Sequence, residues 1–340
     1  MNRKSYLYLY LLFSIIFSNN NLKFSANYLE NIIENDIEKR IFNDNVIINN
    51  KSMILYTSKA IYEPSLQKVT LIGDVKMIDN NDSLFCDKLI LYDRDYKNFE
   101  STGNIKFYKG NQFIKCEQLF YEELSKNNDI EIELFGSAEI VDSTNKVQGD
   151  SLIINYKDSL INNININSNA KFFNYRIAKF NASNQYQNIE DKMSSKKMMI
   201  DFNNGEVNNI QLLGMASTMF NVVEDTLVTG TNSSSADSIL IEINNNNINR
   251  MKMYGGVEGK FNPELNNSRV DSTVIYQANY IDYQLYNDVS YLYDNSLVNY
   301  DSNELKADEI FIDWENNMLE ARIKDSVYPS INGFGESPIF

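Results

Sequence analysis

The sequence has 340 residues, 43% of them hydrophobic, with 22 Tyr and 19 Phe against only 4 Pro, a composition that buries a real core and favours pleated strands over helices. A formal charge of −15 without clustered Lys or Arg excludes a nucleic-acid partner, because phosphate neutralisation needs such clusters. Histidine is absent, which removes Ser-His and Cys-His catalysis and His-containing zinc sites.

No catalytic residue, metal site or cofactor is therefore nominated, and the protein is not expected to be an enzyme. A carboxylate pair for glycan hydrolysis can always be drawn among 46 acids, so it carries no weight.

At the N-terminus Arg3 and Lys4 precede the apolar run Tyr6–Phe17, and polar "SNNN" follows at once. These are the n-region and h-region of a secretory signal. The run is shorter than the roughly 20 residues of a transmembrane helix. Residues 1–18 read as a signal peptide or N-terminal anchor, and 19–46 as an N-terminal segment. Within it Leu29–Ile41 has the charges and helix formers of a short helix or loop.

From residue 47 onward one strand-like segment recurs. A column of small residues holds Thr57, Cys86, Cys116, Gly149, Ala236, Ala278 and Ala307. Three residues on stand Ala60, Leu89, Leu119, Leu152, Ile239, Ile281 and Ile310, and two further on Tyr62, Leu91, Tyr121, Ile154, Ile241, Tyr283 and Ile312. An acid often follows the small residue, as at Asp87, Glu117, Asp150, Asp237 and Asp308.

Each segment is followed by a turn and an alternating strand with one apolar face. The clearest are Val69, Leu71, Gly73, Val75, Met77; Phe99, Gly103, Ile105, Phe107; and Ile132, Leu134, Gly136, Ala138, Ile140. Fainter copies centre on Gly214 and Gly255 and run through Ile164–Phe172, and a last one places Asn287 where the others have glycine. Successive copies lie about 30 to 40 positions apart, the range of stacked arrays.

A glycine inside a strand pattern marks a bulge, bend or close backbone approach. Three is odd, so the small and apolar columns share a face only if the strand kinks between them. Both features predict an all-β fold of antiparallel strands folded over into a V, with an apolar inner face. The polar stretches "YEPSLQK", "YDRDYKN" and "EELSKNND" read as turns. Lys179–Lys197 breaks the repeat and reads as a connection, with helix formers at Asn184–Lys192; "NPELNNSRVD" is a second break.

"TSKAIYEPSLQKVTLIGDVKM" and "LFCDKLILYDRDYKNFESTGNIKFYKG" resemble the OstA-like module of lipopolysaccharide transport, found in the LptA type and in the N-terminal periplasmic region of the LptD type. The likeness is good over residues 47–178, taken as a first module. Past a connection at 179–197 it weakens, through repeats at 198–265 and 274–340.

The family implies a β-jellyroll, or β-taco, whose groove holds the acyl chains of lipid A. Its modules join edge to edge with other Lpt components or with copies of themselves. The groove residues so implied are Leu71, Val75, Met77, Leu89, Leu91, Ile105, Phe107, Leu119, Tyr121, Leu134, Ile140, Leu152 and Ile154. Gly73, Gly103, Gly136, Gly214, Gly255, Cys86 and Cys116 are structural.

The implied place is the periplasm, with attachment to the inner or outer membrane left open. The closing "INGFGESPIF" is similar to the segment preceding the outer-membrane barrel of the largest members, and no barrel series is expected within this sequence. Periodicity alone favours the same side chains filling the closed core of a structural or adhesive solenoid, and it is the resemblance that turns the reading to an open groove. Cys86 and Cys116, 30 residues apart in one column, read as small buried residues or as a disulfide between adjacent rungs. The edges are expected at the first strand after Asn43 and the last after Ala307, and Trp314 is expected in the core.

Overall fold

The computed structural model describes residues 22–50, 53–92, 98–124, 129–180, 185–224, 226–244, 247–264, 270–316, 318–323 and 328–333. The signal-like segment lies outside the described residues, as does most of "INGFGESPIF". What is described is almost entirely antiparallel β-structure with two 3-10 turns, Pro64–Leu66 and Leu285–Asn287, an all-β jellyroll of folded hairpins. No helix among the described residues is long and apolar enough to cross a membrane.

Two compact units divide the chain. The first takes Met1–Ser143 and Gln148–Ile161, the second Thr144–Val147 and Asn162–Phe340. The division thus falls ahead of the stretch 179–197 expected to connect modules.

The first unit contains β1 (Leu22–Ser25), β2 (Tyr28–Glu34), β3 (Ile37–Asn50), β4 (Met53–Glu63), β5 (Lys68–Asp79), β6 (Asp82–Tyr92), β7 (Asn98–Lys109), β8 (Gln112–Glu123), β9 (Ile130–Val141) and most of β10 (Asn145–Lys157). From β3 to β9 each strand pairs with the next.

The second unit contains nearly all of β11 (Leu160–Phe180), then β12 (Gln185–Asn203), β13 (Glu206–Glu224), β14 (Leu227–Asn244), β15 (Asn247–Pro263), β16 (Val274–Gln284), β17 (Val289–Tyr300), β18 (Asn303–Asp313), β19 (Met318–Arg322) and β20 (Ser330–Asn332). Here too consecutive strands pair, from β11 to β18.

Every strand of these two series is bent near its middle, and the bend has one recurring cause. Odd-numbered strands put two successive residues in the left-handed region, such as Gly73–Asp74 at φ 84° and 47°, and Gly103–Asn104 at 80° and 48°. The opposing strand spends one residue fewer there, so the register shifts, as between Ile72 and Val75 against Lys88 and Cys86. This is a β-bulge, which bends a strand and re-aims its side chains. It answers the parity question: Asp87 and Lys88 both face out, while Cys86 and Leu89 are both buried.

Gly103 illustrates why the position takes glycine. Its φ is one that L residues rarely adopt, and a Cβ there would collide with the Asp87 carboxylate on β6. The acid after the small residue thus packs against the bend of the next strand, where Asn104 Nδ2 donates to Asp87 Oδ2 at 2.9 Å. Gly136 faces Glu117 in the same way and Gly255 faces Asp237. Where glycine is missing, Asp44–Asn45, Ser168–Asn169 and Asp294–Asn295 take the left-handed conformation instead, as short polar residues do most readily.

Four expectations are corrected. Leu29–Ile41 is not helical but spans β2 and β3, whose two-residue turn Asn35–Asp36 has both φ positive, at 52° and 61°. Of the stretch Asn184–Lys192, the described residues Gln185–Lys192 are strand and not helix, and Ser195, Met198 and Ile200 of β12 supply an eighth, buried copy of the small and apolar columns. Asn287 lies in a 3-10 turn, so the last bend is at Asp294–Asn295. The strand halves expected at the edges are covered among the described residues, β3 by β1 and β2, and β18 by β19 and β20.

Candidate functional site

In the first unit the bends fold each sheet half over the other, and the columns meet inside. Leu71 pairs with Leu89 and Leu119 with Leu134 in one half, while Val75 pairs with Cys86 and Phe107 with Ile114 in the other. Rings touch between the halves: Phe99 meets Phe107 edge-on with centroids 6.5 Å apart, and Phe24 lies 5.2 Å from Tyr62.

Every groove residue expected from the sequence faces this interior or its margin. Leu71, Leu89, Leu91, Ile105, Leu119, Leu134, Leu152 and Ile154 are wholly buried, Val75, Met77, Phe107 and Ile140 nearly so. Tyr121 alone is half-buried, stacked on Phe99 with centroids 4.7 Å apart. The interior is closed by its own side chains, so an inserted chain must part the two halves.

At the strand ends remote from the bends the interior is capped by Lys109. Its ammonium lies 5.5 Å from the centroids of Tyr121 and Tyr156, 6.0 Å from that of Phe107 and 3.2 Å from Asp82 Oδ2. The Tyr156 hydroxyl donates to Gln112 Oε1 at 2.8 Å. Burial, and then the charge of Asp82 and its neighbours, pushes the Tyr121 hydroxyl well above the ordinary phenol range.

Cys86 and Cys116 are free thiols, both buried. They stand on β6 and β8 with β7 between them. Two strand spacings of about 4.8 Å separate such positions, beyond the roughly 7 Å that a disulfide spans. The reading as small buried residues is the one the sheet order supports. Burial raises both thiols to about 12.

The second unit fills its interior differently. Its first four strands run 18 to 21 residues, longer than any in the first unit. Their added length carries a small core of Ala178, Ile189 and Val228. Beside it Arg176 is paired with buried Asp191 at 2.6 Å, and Asp191 also accepts the Asn221 backbone N–H at 2.8 Å.

Between Val228 and Ala236 the inward positions of β14 are Gly230, Asn232 and Ser234, all buried. Thr218 and Ser234 share a hydroxyl hydrogen bond of 2.7 Å. Glycines make room for rings on this face, since a Cβ on Gly259 would fall inside the Tyr276 ring and one on Gly230 against Phe261. The Tyr276 hydroxyl donates to Asn232 Oδ1 at 2.8 Å. Burial raises it to about 12 despite that bond.

These rings leave a cavity of about 70 Å³. Met253, Ile281, Leu292 and Ile312 line its apolar side, and Phe261, Tyr276, Tyr283 and Trp314 contribute ring walls. Glu224 and Asp288 bring carboxylates to it. Trp314 is fixed by Nε1 donating to Ser290 Oγ at 2.8 Å and by its backbone N–H donating to the Asp288 carbonyl at 2.9 Å. Burial first, then Tyr276, Asp288 and Glu224, raises the Tyr283 hydroxyl. No group of potential metal ligands occurs among the described residues.

Sequence patterning missed this cavity because "GTNSSSAD" has no apolar alternation. A signal existed in register: Trp314 stands seven places after Ala307, as Tyr156 does after Gly149.

Fold and interior together define a β-jellyroll of bent antiparallel hairpins. No protein-family model matches the sequence, and no curated protein matches it. Among solved structures the chain is similar to LptH from Pseudomonas aeruginosa, described as the LptA-homologous periplasmic component of the lipopolysaccharide transport device. Identity is 11% and the TM-score 0.33, over 43% of this chain and 95% of that one.

Proposed function

We propose that the protein is an exported, non-enzymatic lipid-transfer bridge that shelters the lipid A acyl chains of lipopolysaccharide on its way to the outer membrane. The observation carrying this reading is the inward apolar face of the first unit, repeated strand after strand on both halves of the bent sheet. Each methylene moved from water onto such a face is stabilised by about 0.8 kcal/mol. The two halves meet through side chains, so a chain can replace side chain–side chain contact with contacts of its own.

Placement in the periplasm follows from the signal-like segment at residues 1–18. Assembly with other Lpt components, or with a second copy, would use the edges at β1–β2 and β19–β20, since exposed strand edges accept further strands.

Photo-cross-linking from Leu91 and Phe107 in growing cells tests the reading. Adducts with lipopolysaccharide from both positions are the expected result, and adducts from neither overturn it. One observation favours a structural or adhesive solenoid instead: the groove residues are already closed over one another. That alternative predicts no adduct and no envelope defect on depletion.

A further inference from the structure

The two long strands that open the second unit, β11 and β12, differ in charge from the rest of the chain. Between Leu160 and Ile200 stand six cations, Lys171, Arg176, Lys179, Lys192, Lys196 and Lys197, and only two acids, Glu190 and Asp191, in a chain of net charge −15. Asp191 is buried and paired with Arg176 at 2.6 Å. What is left to solvent is five lysines and one glutamate, all exposed except the half-buried Lys179. None of the five lysines is in an ion pair among the described residues.

Strand register gathers these lysines on one side of the sheet. Past the bend at Ser168–Asn169, Ala170, Phe172 and Ala178 are buried, so the positions alternating with them, Lys171, Phe173, Tyr175, Ile177 and Lys179, point outward. Phe173 is opposite Lys192 and Lys179 opposite Tyr186, and Lys192 is in turn opposite Met219 of β13. The Lys192 ammonium lies 5.7 Å from the Phe173 ring centroid, and Lys196 and Lys197 stand at the register shift of β12. Between the lysines the face is apolar, with Ile177 70%, Tyr186 65%, Met219 40% and Tyr175 38% exposed. The row from Lys171 continues through Ser194, Ser217 and Ser235, short side chains above which the long ones stand.

Charge and side-chain chemistry together select the occupant. Every outward cation here is a lysine, a point charge on a flexible stem that imposes no fixed fork on its partner and so suits a diffuse, fluid array of anions. Tyrosine, isoleucine and methionine between such charges match the boundary where headgroups meet hydrocarbon, tyrosine being enriched there. We propose that this face of β11–β13 docks on the surface of an anionic lipid bilayer, with the lysines among the headgroup phosphates and Tyr175, Ile177, Tyr186 and Met219 at the edge of the hydrocarbon. The face lies outside the acyl-chain interior proposed above and does not depend on that reading.

Co-sedimentation of the full-length chain with vesicles tests this, comparing phosphatidylcholine alone with equal parts phosphatidylcholine and phosphatidylglycerol. Each lysine near an anionic surface strengthens binding about fivefold. Lys171→Gln with Lys179→Gln and Lys192→Gln is therefore expected to weaken binding to the mixed vesicles about a hundredfold. The comparison is Lys88→Gln with Lys106→Gln and Lys115→Gln, the same change of charge on the outer face of the first unit, where Asp74, Asp87 and Glu117 are exposed among the lysines; a loss of about threefold or less is expected. Residues 1–18 are common to all these chains, so their own affinity for lipid cancels.

Ile177→Ser with Tyr186→Ser is expected to weaken binding about tenfold at low and high salt alike, whereas the lysine contribution disappears at high salt. Equal losses from the two triple lysine variants, or no preference of the parent chain for the mixed vesicles, overturn the proposal. So does salt-sensitive self-association that the Lys171, Lys179 and Lys192 variant abolishes while vesicle binding is unchanged, which would assign the face to a second copy of the chain.

Discussion

The two units repeat one backbone device and fill it with different chemistry. In the first, the described residues include only three buried polar or charged side chains, Thr57, Glu63 and Ser101; the second buries nine, among them Asp191, Thr218, Asn232, Ser234 and Asp282. The bend needs only left-handed residues opposite a small one, so it tolerates either filling. What differs is cohesion: the first interior is held almost wholly by non-directional apolar burial, while the second adds to its apolar core buried hydrogen bonds and ion pairs that fix particular geometries.

Substitutions that remove each kind of cohesion should separate the units. Leu119→Ala in the first unit deletes a wholly buried side chain and should cost about 3 to 4 kcal/mol, read from urea unfolding. Ser234→Ala in the second loses its bond to Thr218 and its contact with the Tyr276 hydroxyl and should cost about 1 to 2 kcal/mol. Equal effects would dissolve the contrast.

Asp282 is the polar unit's counterpart of such a core residue. Arg250 Nε and Nη2 donate to its two oxygens at 2.7 and 2.6 Å. Burial alone would raise the carboxyl, but those bonds outweigh it and leave Asp282 below the ordinary carboxylate range. Asp282→Asn removes the nearest countercharge of a part-exposed Arg250, which Glu242 still attracts, and should cost about 1 to 2 kcal/mol at neutral pH. Because the folded state holds the carboxyl low, the stabilisation is present above its unfolded value of about 3.9 and is lost as pH falls through the lower folded value. An acid titration of unfolding should therefore steepen below about pH 4 in the parent and flatten in the variant.

Bend glycines offer a smaller contrast. Gly103→Ala meets both a positive φ and the Asp87 carboxylate and should cost about 2 kcal/mol. Gly256→Ala has a positive φ but open space around it, so about 1 kcal/mol is expected. Thermal midpoints of the two variants measure the difference. Smallest of all, Cys86→Ala and Cys116→Ala insert the residue that fills the same column at Ala236 and should each cost about 1 kcal/mol or less. With both thiols at about 12, neither should react with a disulfide reagent at pH 8 until the protein unfolds, as a thiol count with and without denaturant would reveal.

The bends were legible because they impose residue types at fixed spacing: a small residue, an acid after it, an apolar residue three on, and glycine in the next strand. Ser195 in β12 escaped because Lys196 replaces the acid and a long polar hairpin precedes it. The last bend escaped because Asp294 and Asn295 perform the glycine's task with short polar side chains. The charges of Leu29–Ile41 suit a helix in isolation, and only the pairing of β2 with β3 overrides that preference.

The sequence by itself determined the all-β class, the repeat and the identity of the inward residues, since strand alternation and the bend are local demands on each segment. Only the tertiary structure decided that Cys86 and Cys116 lie two strands apart, that Lys109 caps one interior, and that Tyr276 and Trp314 enclose a cavity in the other. Those facts depend on which strands become neighbours and which rings meet across the fold, and residues far apart in the chain carry no mark of that in their own spacing.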